Sequence, residues 1–206
     1  MNTLIVTGTD TGVGKTVFAA GLAAALGADY WKPVQAGLED ATDTETVAAL
    51  SGCRVLPEAY RLNMPASPHL AAEDMGIEID VERLALPQTN GPLVVEGAGG
   101  VMVPLTRKLF NLDLFARWQA PVILVARTAL GTINHTALSL SALRAAGCPV
   151  VGVAFSGATE PDVEQTIVEM CDTRHLGRLE PLPELTPDTL ARAFEAIDFR
   201  TIREAL

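Results

Sequence analysis

Residues 8–16 read Gly8-Thr9-Asp10-Thr11-Gly12-Val13-Gly14-Lys15-Thr16, between an apolar run, Leu4-Ile5-Val6, and an alanine-rich stretch from Lys15 to about Leu26. A glycine loop that leaves a strand and opens a helix turns its backbone N–H groups, and those of the first helical turn, toward an anion. Gly14 has no Cβ to obstruct a phosphate, Lys15 reaches the β- and γ-phosphates of a nucleotide, and the Thr16 hydroxyl is placed to ligate Mg²⁺. Five residues separate Gly8 from Gly14, one more than in the common phosphate-loop pattern.

Other chemistry-bearing residues stand at the ends of apolar runs. Glu96 follows Leu93-Val94-Val95 and precedes Gly97-Ala98-Gly99-Gly100, where a carboxylate can hold Mg²⁺ and the glycines let a nucleotide come close. Lys32 follows Tyr30-Trp31 and precedes Pro33. A lysine there either stabilises charge on a transferring phosphoryl group or is an ordinary solvated residue. Asp43 is a plausible second Mg²⁺ carboxylate or a helix cap, and Asp40 and Glu45 compete for the same role. His69 and His135 fit plain helix-start positions, with Asn134 as a helix cap.

Positioning these residues needs strands that alternate with helices. Strands are expected at Leu4–Val6, Tyr30–Val34, Leu93–Val95 ending at Glu96, Pro121–Ala126 and Val150–Phe155. Helices are expected over Lys15–Leu26, Asp43–Leu50, Ser67–Met75 capped by Ser67, Asp80–Leu86, Leu112–Gln119, Asn134–Ala146, Pro161–Cys171 and Pro187–Ala196. The alternation predicts an α/β fold of the P-loop NTPase type, in one domain over 1–206. It has a mainly parallel sheet with helices on both faces and the ligand beyond the carboxyl ends of the strands. Five glycine or polar loops fall at that rim, after Val6, Trp31, Val95, Ala126 and Phe155.

Composition agrees. Hydrophobic residues are 49% and charged residues 19%, enough apolar surface for a buried parallel sheet and too much for disorder. The net charge of -10 disfavours nucleic acid and anionic membranes, so a bound polyphosphate needs local positive charge. Cys53, Cys148 and Cys171 have no metal-binding spacing and read as free thiols. With no signal-peptide pattern and no apolar run of about 20 residues, the chain is expected to be cytoplasmic.

Taken together, five motifs in order resemble the dethiobiotin synthetases. They are the long phosphate loop with its Thr-Asp-Thr start, Lys32-Pro33-Val34, Ser67-Pro68-His69, Val95–Gly100 and Leu130-Gly131-Thr132-Ile133-Asn134-His135. The resemblance implies a homodimer that joins 7,8-diaminopelargonate and CO₂ (or bicarbonate) at the expense of ATP, with its substrate site at the subunit interface. It implies catalytic roles for Lys15 and Lys32, and Mg²⁺ ligation by Thr16, Asp43 and Glu96. Gly12, Val13, Gly14, Lys15, Thr16, Val17, Asp43, Glu96, Gly97, Ala98 and Gly99 are then nucleotide contacts. Thr11, Lys32 and Ala36 face the substrate, and Gly131, Thr132, Ile133 and Asn134 reach the substrate carboxylate of the neighbouring subunit. Ser156, Gly157, Leu182, Pro183 and Glu184 fall where the family holds the base.

Two positions depart from the family pattern. Ala36 stands where a serine is frequent, which removes a hydroxyl contact to substrate. Ser156-Gly157 stands where Asn-Asp is frequent, and a hydroxyl replaces the paired donor and acceptor of an amide. Weaker base discrimination is the expected result. Nucleotide-switch ATPases and enzymes that activate other carboxylates share the long phosphate loop and are the competing classes.

Overall fold

The structure, a computed structural model, describes residues 2–206; Met1 lies outside the described residues. Seven parallel strands form the main sheet. They are β1 (Thr3–Gly8), β2 (Asp29–Trp31), β4 (Val55–Leu56), β6 (Leu93–Gly100), β7 (Val122–Arg127), β8 (Val150–Ser156) and β9 (His175–Leu179), in the order β4-β2-β6-β1-β7-β8-β9. A small sheet pairs β3 (Val34–Ala36) with β5 (Tyr60–Leu62). The chain leaves β1 toward β2 on one side, and β6 later crosses to β7 on the other. The carboxyl end of β1 is thus the place where strand order reverses, and a crevice opens there.

Period-2 alternation assigns the two faces. Leu4 and Val6 of β1 point into one fully buried cluster with Phe18, Leu22, Ile123, Val125 and Ala154, while Ile5 points into the other with Leu124, Ala126, Val153 and Phe155. The first face is covered by α1 (Lys15–Leu26), α2 (Asp43–Ser51) and α7 (Pro187–Phe194), and α8 (Phe199–Glu204) adds Ile202. The second is covered by α4 (Asn111–Trp118), α5 (Thr132–Ala145) and α6 (Pro161–Met170). The small sheet, α3 (Pro68–Asp74) and a 3₁₀ turn at Val81–Leu84 share a third cluster around Tyr60, Leu62 and Leu84.

Several local expectations are corrected. The expected strand Tyr30–Val34 is two strands, because Pro33 carries no N–H for the ladder. The chain quits its pairing with β6 at Trp31↔Val95, and Val34 begins to pair with Tyr60 instead. β6 does not end at Glu96 but runs through the glycines to Gly100, which pairs with Gly8. Asn134 is no cap: α5 starts at Thr132 behind Gly131, whose left-handed backbone (φ 92°) suits glycine. Ser67 is the N-cap residue of α3 with Pro68 in the first turn, as expected, but its side chain caps no helix N–H; its Oγ lies 3.1 Å from His69 Nδ1. The expected helix Asp80–Leu86 is the short 3₁₀ turn, with Asp80 Oδ1 accepting from Glu82 N–H at 2.9 Å. The two-residue β4, β5 and the edge strand β9 carry too few apolar residues to announce themselves.

Among the described residues no helix is long and apolar enough to cross a membrane, and the three cysteines are free. Glu164 on α6 is buried and paired with Arg178 and with His175 Nε2 (2.8 Å), both on β9. This fastens the edge strand to the helix.

Two predictions follow from this packing. An ideal Cβ at Gly21 would sit 2.3 Å from the Phe194 ring, where α7 crosses α1. Gly21→Ala should therefore cost about 1–3 kcal/mol in denaturant unfolding through overpacking, despite the higher helix propensity of alanine. For Glu164, burial acts to raise its pKa, but the bonds from His175 and Arg178 outweigh it and hold the carboxyl below its ordinary value. A carboxyl whose folded pKa is depressed stabilises the fold above its unfolded pKa, and that stability is lost as pH falls through the folded one. Glu164→Gln should thus lose about 1–3 kcal/mol at neutral pH and converge with the parent protein in acid; a constant difference across pH would exclude this account.

Candidate active site

The phosphate loop takes its shape from two left-handed glycines, Gly12 (φ 71°) and Gly14 (φ 92°), and Gly14 is the N-cap residue of α1. No side chain caps that helix, so its first N–H groups are left to a ligand. A Cβ at Gly14 would lie 2.5 Å from Ser156 Oγ, so the end of β8 closes against the loop at this point. Asp10 organises the loop from within. Its Oδ1 accepts from Thr11 N–H at 2.7 Å, and its carbonyl accepts from Lys15 Nζ at 2.9 Å. Lys15 is buried, and burial brings its pKa down to about 8, with Lys32 pushing the same way and Glu96 opposing.

Beyond the loop lies a cleft of about 700 Å³, lined by Thr11, Gly12, Gly14, Lys15, Thr16 and Val17 from one side. The other side is Lys32, Ala36, Asp43, Glu96, Ala98 and Gly99, with Gln35 and the turn Pro65–Pro68. At its floor four side chains from four elements meet. Lys32 Nζ is 2.6 Å from Asp43 Oδ2 and 2.9 Å from Glu96 Oε1, and it donates to the Gly97 carbonyl at 3.2 Å. Thr16 Oγ1 bonds Asp43 Oδ1 at 2.9 Å and Glu96 Oε1 at 3.0 Å. Lys32 and Glu96 are both buried, at 3% and 0% exposure, so each charge depends on the other. Burial acts to lower the pKa of Lys32, but Glu96 and Asp43 together hold it above the ordinary value, and the ammonium stays charged. For Asp43, burial raises and Lys32 lowers; the net direction is down.

Three residues that sequence reasoning missed hold this cluster in place. Tyr30 donates its hydroxyl to Glu96 Oε2 at 2.8 Å, and burial followed by the Glu96 charge drives the phenol pKa well above its ordinary value. Gln35 Oε1 accepts from Asp43 N–H at 3.2 Å and so sets the start of α2. Asn111 Nδ2 donates to the carbonyls of Ala98 (2.6 Å) and Gly100 (3.0 Å), which fastens the glycine run. Tyr30 and Asn111 sit in apolar-looking segments, where nothing local marks a polar role. Gln35 lies beside the noted Ala36, but its partner is eight residues away.

The set Thr16, Asp43 and Glu96 fits a small hard cation. All its donors are oxygens, two are carboxylates, and an ammonium already lies between those carboxylates at hydrogen-bond distance. The other expected residues are distributed as follows. Val13 is buried in the core, and Gly97 packs on Phe115, where a Cβ would meet Cζ at 2.8 Å. Ser156, Gly157 and Leu182 line a smaller pocket of about 270 Å³ that shares Gly14 and Val17 with the cleft. Leu179, Glu180, Pro181, Leu185 and Leu190 complete it, and sequence reasoning had not singled them out. Pro183 lines instead a cavity of about 780 Å³ over β9 and α7, which contains no phosphate-loop residue. Glu184 is not on the wall of the small pocket; its carbonyl accepts from Thr189 Oγ1 at 2.8 Å. Gly131, Thr132, Ile133 and Asn134 are not brought to the cleft of their own chain. Thr132 is buried against Thr136, while the adjacent Leu130 is fully exposed.

The family profile described as "AAA domain" matches residues 2–189. Among solved structures, the Pyrococcus furiosus cell division ATPase MinD is similar over the whole of both chains, with a TM-score of 0.63 at 15% identity. A ParA family ATPase from Chlorobium tepidum has a TM-score of 0.59 at 8% identity, covering 100% of this chain and 97% of that one. At such identities these show a shared fold. Closer in sequence is the ATP-dependent dethiobiotin synthetase BioD of Rhodopseudomonas palustris (strain HaA2), 62% identical over 96% of this chain and 94% of its own. The protein of the same name from Brucella anthropi is 59% identical over 93% and 92%, and that from Agrobacterium fabrum 58% over 92% and 91%. With identity near 60% along nearly its full length, and with four of the five motifs meeting at a phosphate-loop cleft of this geometry, the chain belongs to the ATP-dependent dethiobiotin synthetase family.

Proposed function

We propose that the cleft carries out the family's ring closure on 7,8-diaminopelargonate, with CO₂ and ATP as co-substrates, and that the residues at its floor divide the work as follows. Membership of the family makes the protein an ATP-dependent ligase of biotin biosynthesis. One substrate amine first takes up CO₂ as a carbamate. A carbamate oxygen then attacks the γ-phosphorus, the bond to the departing ADP breaks, and a carbamic-phosphoric anhydride forms. The second amine attacks its carbonyl carbon, the C–O bond to phosphate breaks, and the ureido ring closes. No covalent bond to the protein is required, so catalysis consists of positioning and charge stabilisation.

Lys15 and the loop N–H groups hold the β- and γ-phosphates. Burial depresses the pKa of Lys15, and the negative charge of a bound polyphosphate acts to raise it and favours the ammonium. Thr16, Asp43 and Glu96 hold Mg²⁺, which supplies neutralisation of phosphate charge when bound. The ammonium of Lys32 stabilises the carbamate and the migrating phosphoryl group. Thr11 faces the diamine across the cleft. Ala36 offers no hydroxyl, and substrate contacts there fall to the backbone.

The same reading places the protein in a homodimer, in the cytoplasm. Its support is the surface around the loop 131–134: Leu130 is fully exposed, and Ile133 and Leu138 present apolar side chains at 37% and 63% exposure. A second copy covering this face lets Gly131–Asn134 reach the substrate carboxylate in the neighbouring cleft. Residues 1–206 serve as one catalytic domain.

The observation that carries the proposal is the convergence of Lys15, Lys32, Thr16, Asp43 and Glu96 on one cleft floor. Phosphate release from ATP should therefore rise severalfold or more on adding the diamine with bicarbonate, and dethiobiotin should appear in equal amount. Release indifferent to the diamine would favour a nucleotide switch, the behaviour suggested by likeness of fold alone. Lys32→Gln should lower kcat by about 10²–10³ while changing the affinity for the nucleotide far less; near-normal turnover would remove Lys32 from the mechanism.

A further inference from the structure

Glu96 divides its two carboxylate oxygens between two surroundings. Oε1 faces the cleft, where Lys32 Nζ lies at 2.9 Å and Thr16 Oγ1 at 3.0 Å. Oε2 faces the core, and among the described residues its hydrogen-bond partner is the Tyr30 hydroxyl alone, at 2.8 Å. Tyr30 and Glu96 are both at 0% exposure, so water does not stand in for the phenol.

The register of the sheet puts the phenol there. Tyr30 pairs with Val94, and Trp31 with Val95. Side chains alternate along a strand, so Val94 and Glu96 share one face of β6, and Tyr30 lies on the same face of the sheet. It packs among Phe18, Val47 and Val94 and reaches Glu96 from the core side. Lys32, the residue after Trp31, holds the same carboxylate from the cleft side. With one oxygen bonded to Tyr30 and the other to Lys32, the carboxylate cannot turn about its last bond without breaking one of these contacts.

We infer that Tyr30 is a positioning residue that restricts Glu96 to a single oxygen toward the cation, and so makes the site selective for Mg²⁺ over Ca²⁺; this rests on the reading of Thr16, Asp43 and Glu96 as metal ligands. Mg²⁺ takes an octahedral shell at about 2.0–2.1 Å and suits carboxylates that offer one oxygen each, whereas Ca²⁺ takes about 6–8 oxygens at about 2.3–2.6 Å and accepts both oxygens of one carboxylate. Tyr30 occupies the oxygen that a two-oxygen grip by Glu96 needs. The oxygens of Asp43 are divided in the same way, Oδ1 with Thr16 and Oδ2 with Lys32. Phenylalanine at position 30 leaves Oε2 without a partner and frees the carboxylate to swing it toward the cation.

The test uses the full chain with ADP and Mn²⁺, followed by the enhancement of water-proton relaxation that protein-bound Mn²⁺ produces. Mg²⁺ or Ca²⁺ is titrated in to displace the Mn²⁺. Three proteins are compared: the parent, Tyr30→Phe, and protein with 4-aminophenylalanine in place of Tyr30, which exchanges the O–H donor for an N–H. The parent should release Mn²⁺ to Mg²⁺ at lower concentration than to Ca²⁺. Tyr30→Phe should weaken Mg²⁺ about 10–100-fold and Ca²⁺ far less, so the preference narrows or reverses, and 4-aminophenylalanine should restore it. An unchanged ratio of the two metals in Tyr30→Phe, whatever the loss in each, would reduce Tyr30 to a structural support and overturn the inference. So would a parent protein without preference for Mg²⁺, a result that decides even if Tyr30→Phe fails to fold. Absence of protein-bound Mn²⁺ in the parent would instead strike the assignment of the metal ligands, and it is distinguishable from both results.

Discussion

A buried ion cluster sets the terms for the rest of this molecule. Lys32 and Glu96 are almost wholly removed from water, and neither could remain charged there without the other. The cluster also takes in Asp43 and Thr16, and Tyr30 satisfies the remaining oxygen of Glu96. Its members come from β2's end, β6, α2, α1 and β2 itself. The strand order, the position of α2 and the start of α1 must all be correct before the cluster is complete. Two ammonium groups, those of Lys15 and Lys32, face the carboxylates of Asp43 and Glu96, so the floor is close to neutral.

The fold supplies that precision through ordinary packing. β1 lies in the middle of the sheet between β6 and β7, so the phosphate loop is anchored on both sides and the crevice opens at its end. The break at Pro33 turns Lys32 inward and diverts the chain into the small sheet, whose next residues, Gln35 and Ala36, become the opposite wall of the cleft. A continuous strand over Tyr30–Val34 would leave that wall unbuilt. The glycine run after Glu96 continues as strand and is fastened by Asn111, which keeps the backbone close to the site without a side chain in the way.

The likeness to MinD and ParA proteins, together with sequence identity near 60% to dethiobiotin synthetases, separates what a fold decides from what a site decides. The sheet and phosphate loop prescribe nucleotide chemistry in general. In this chain the second lysine after β2 and the wall formed by the small sheet add to that frame the other side of the cleft. The apolar pocket at the far end of the phosphate loop is a third, independent part. Its shape is made by β8, β9 and α7, away from the cluster of charges.

Much of this was legible in the chain itself. The strand–loop–helix pattern of residues 4–26, the alternation of elements, and the placing of Lys15, Thr16, Lys32 and Asp43 at element ends all follow from local chemistry and period, whereas Glu96, read as a strand end, stands inside β6. Such features depend on neighbours a few residues away. Three things depended on the assembled fold. The choice of Asp43 over Asp40 and Glu45 as Lys32's partner is settled by where α2 begins, and Glu45 is occupied in capping Thr42 N–H at 2.8 Å. The supporting bonds of Tyr30, Gln35 and Asn111 join residues whose own surroundings look apolar or unremarkable. The apolar character of the small pocket beside the phosphate loop comes from Leu179, Leu182, Leu185 and Leu190, which are scattered over a strand, a loop and a helix. In each case the deciding contact spans a distance along the chain over which sequence periodicity carries no information, and only closure of the sheet and its covering helices brings the partners together.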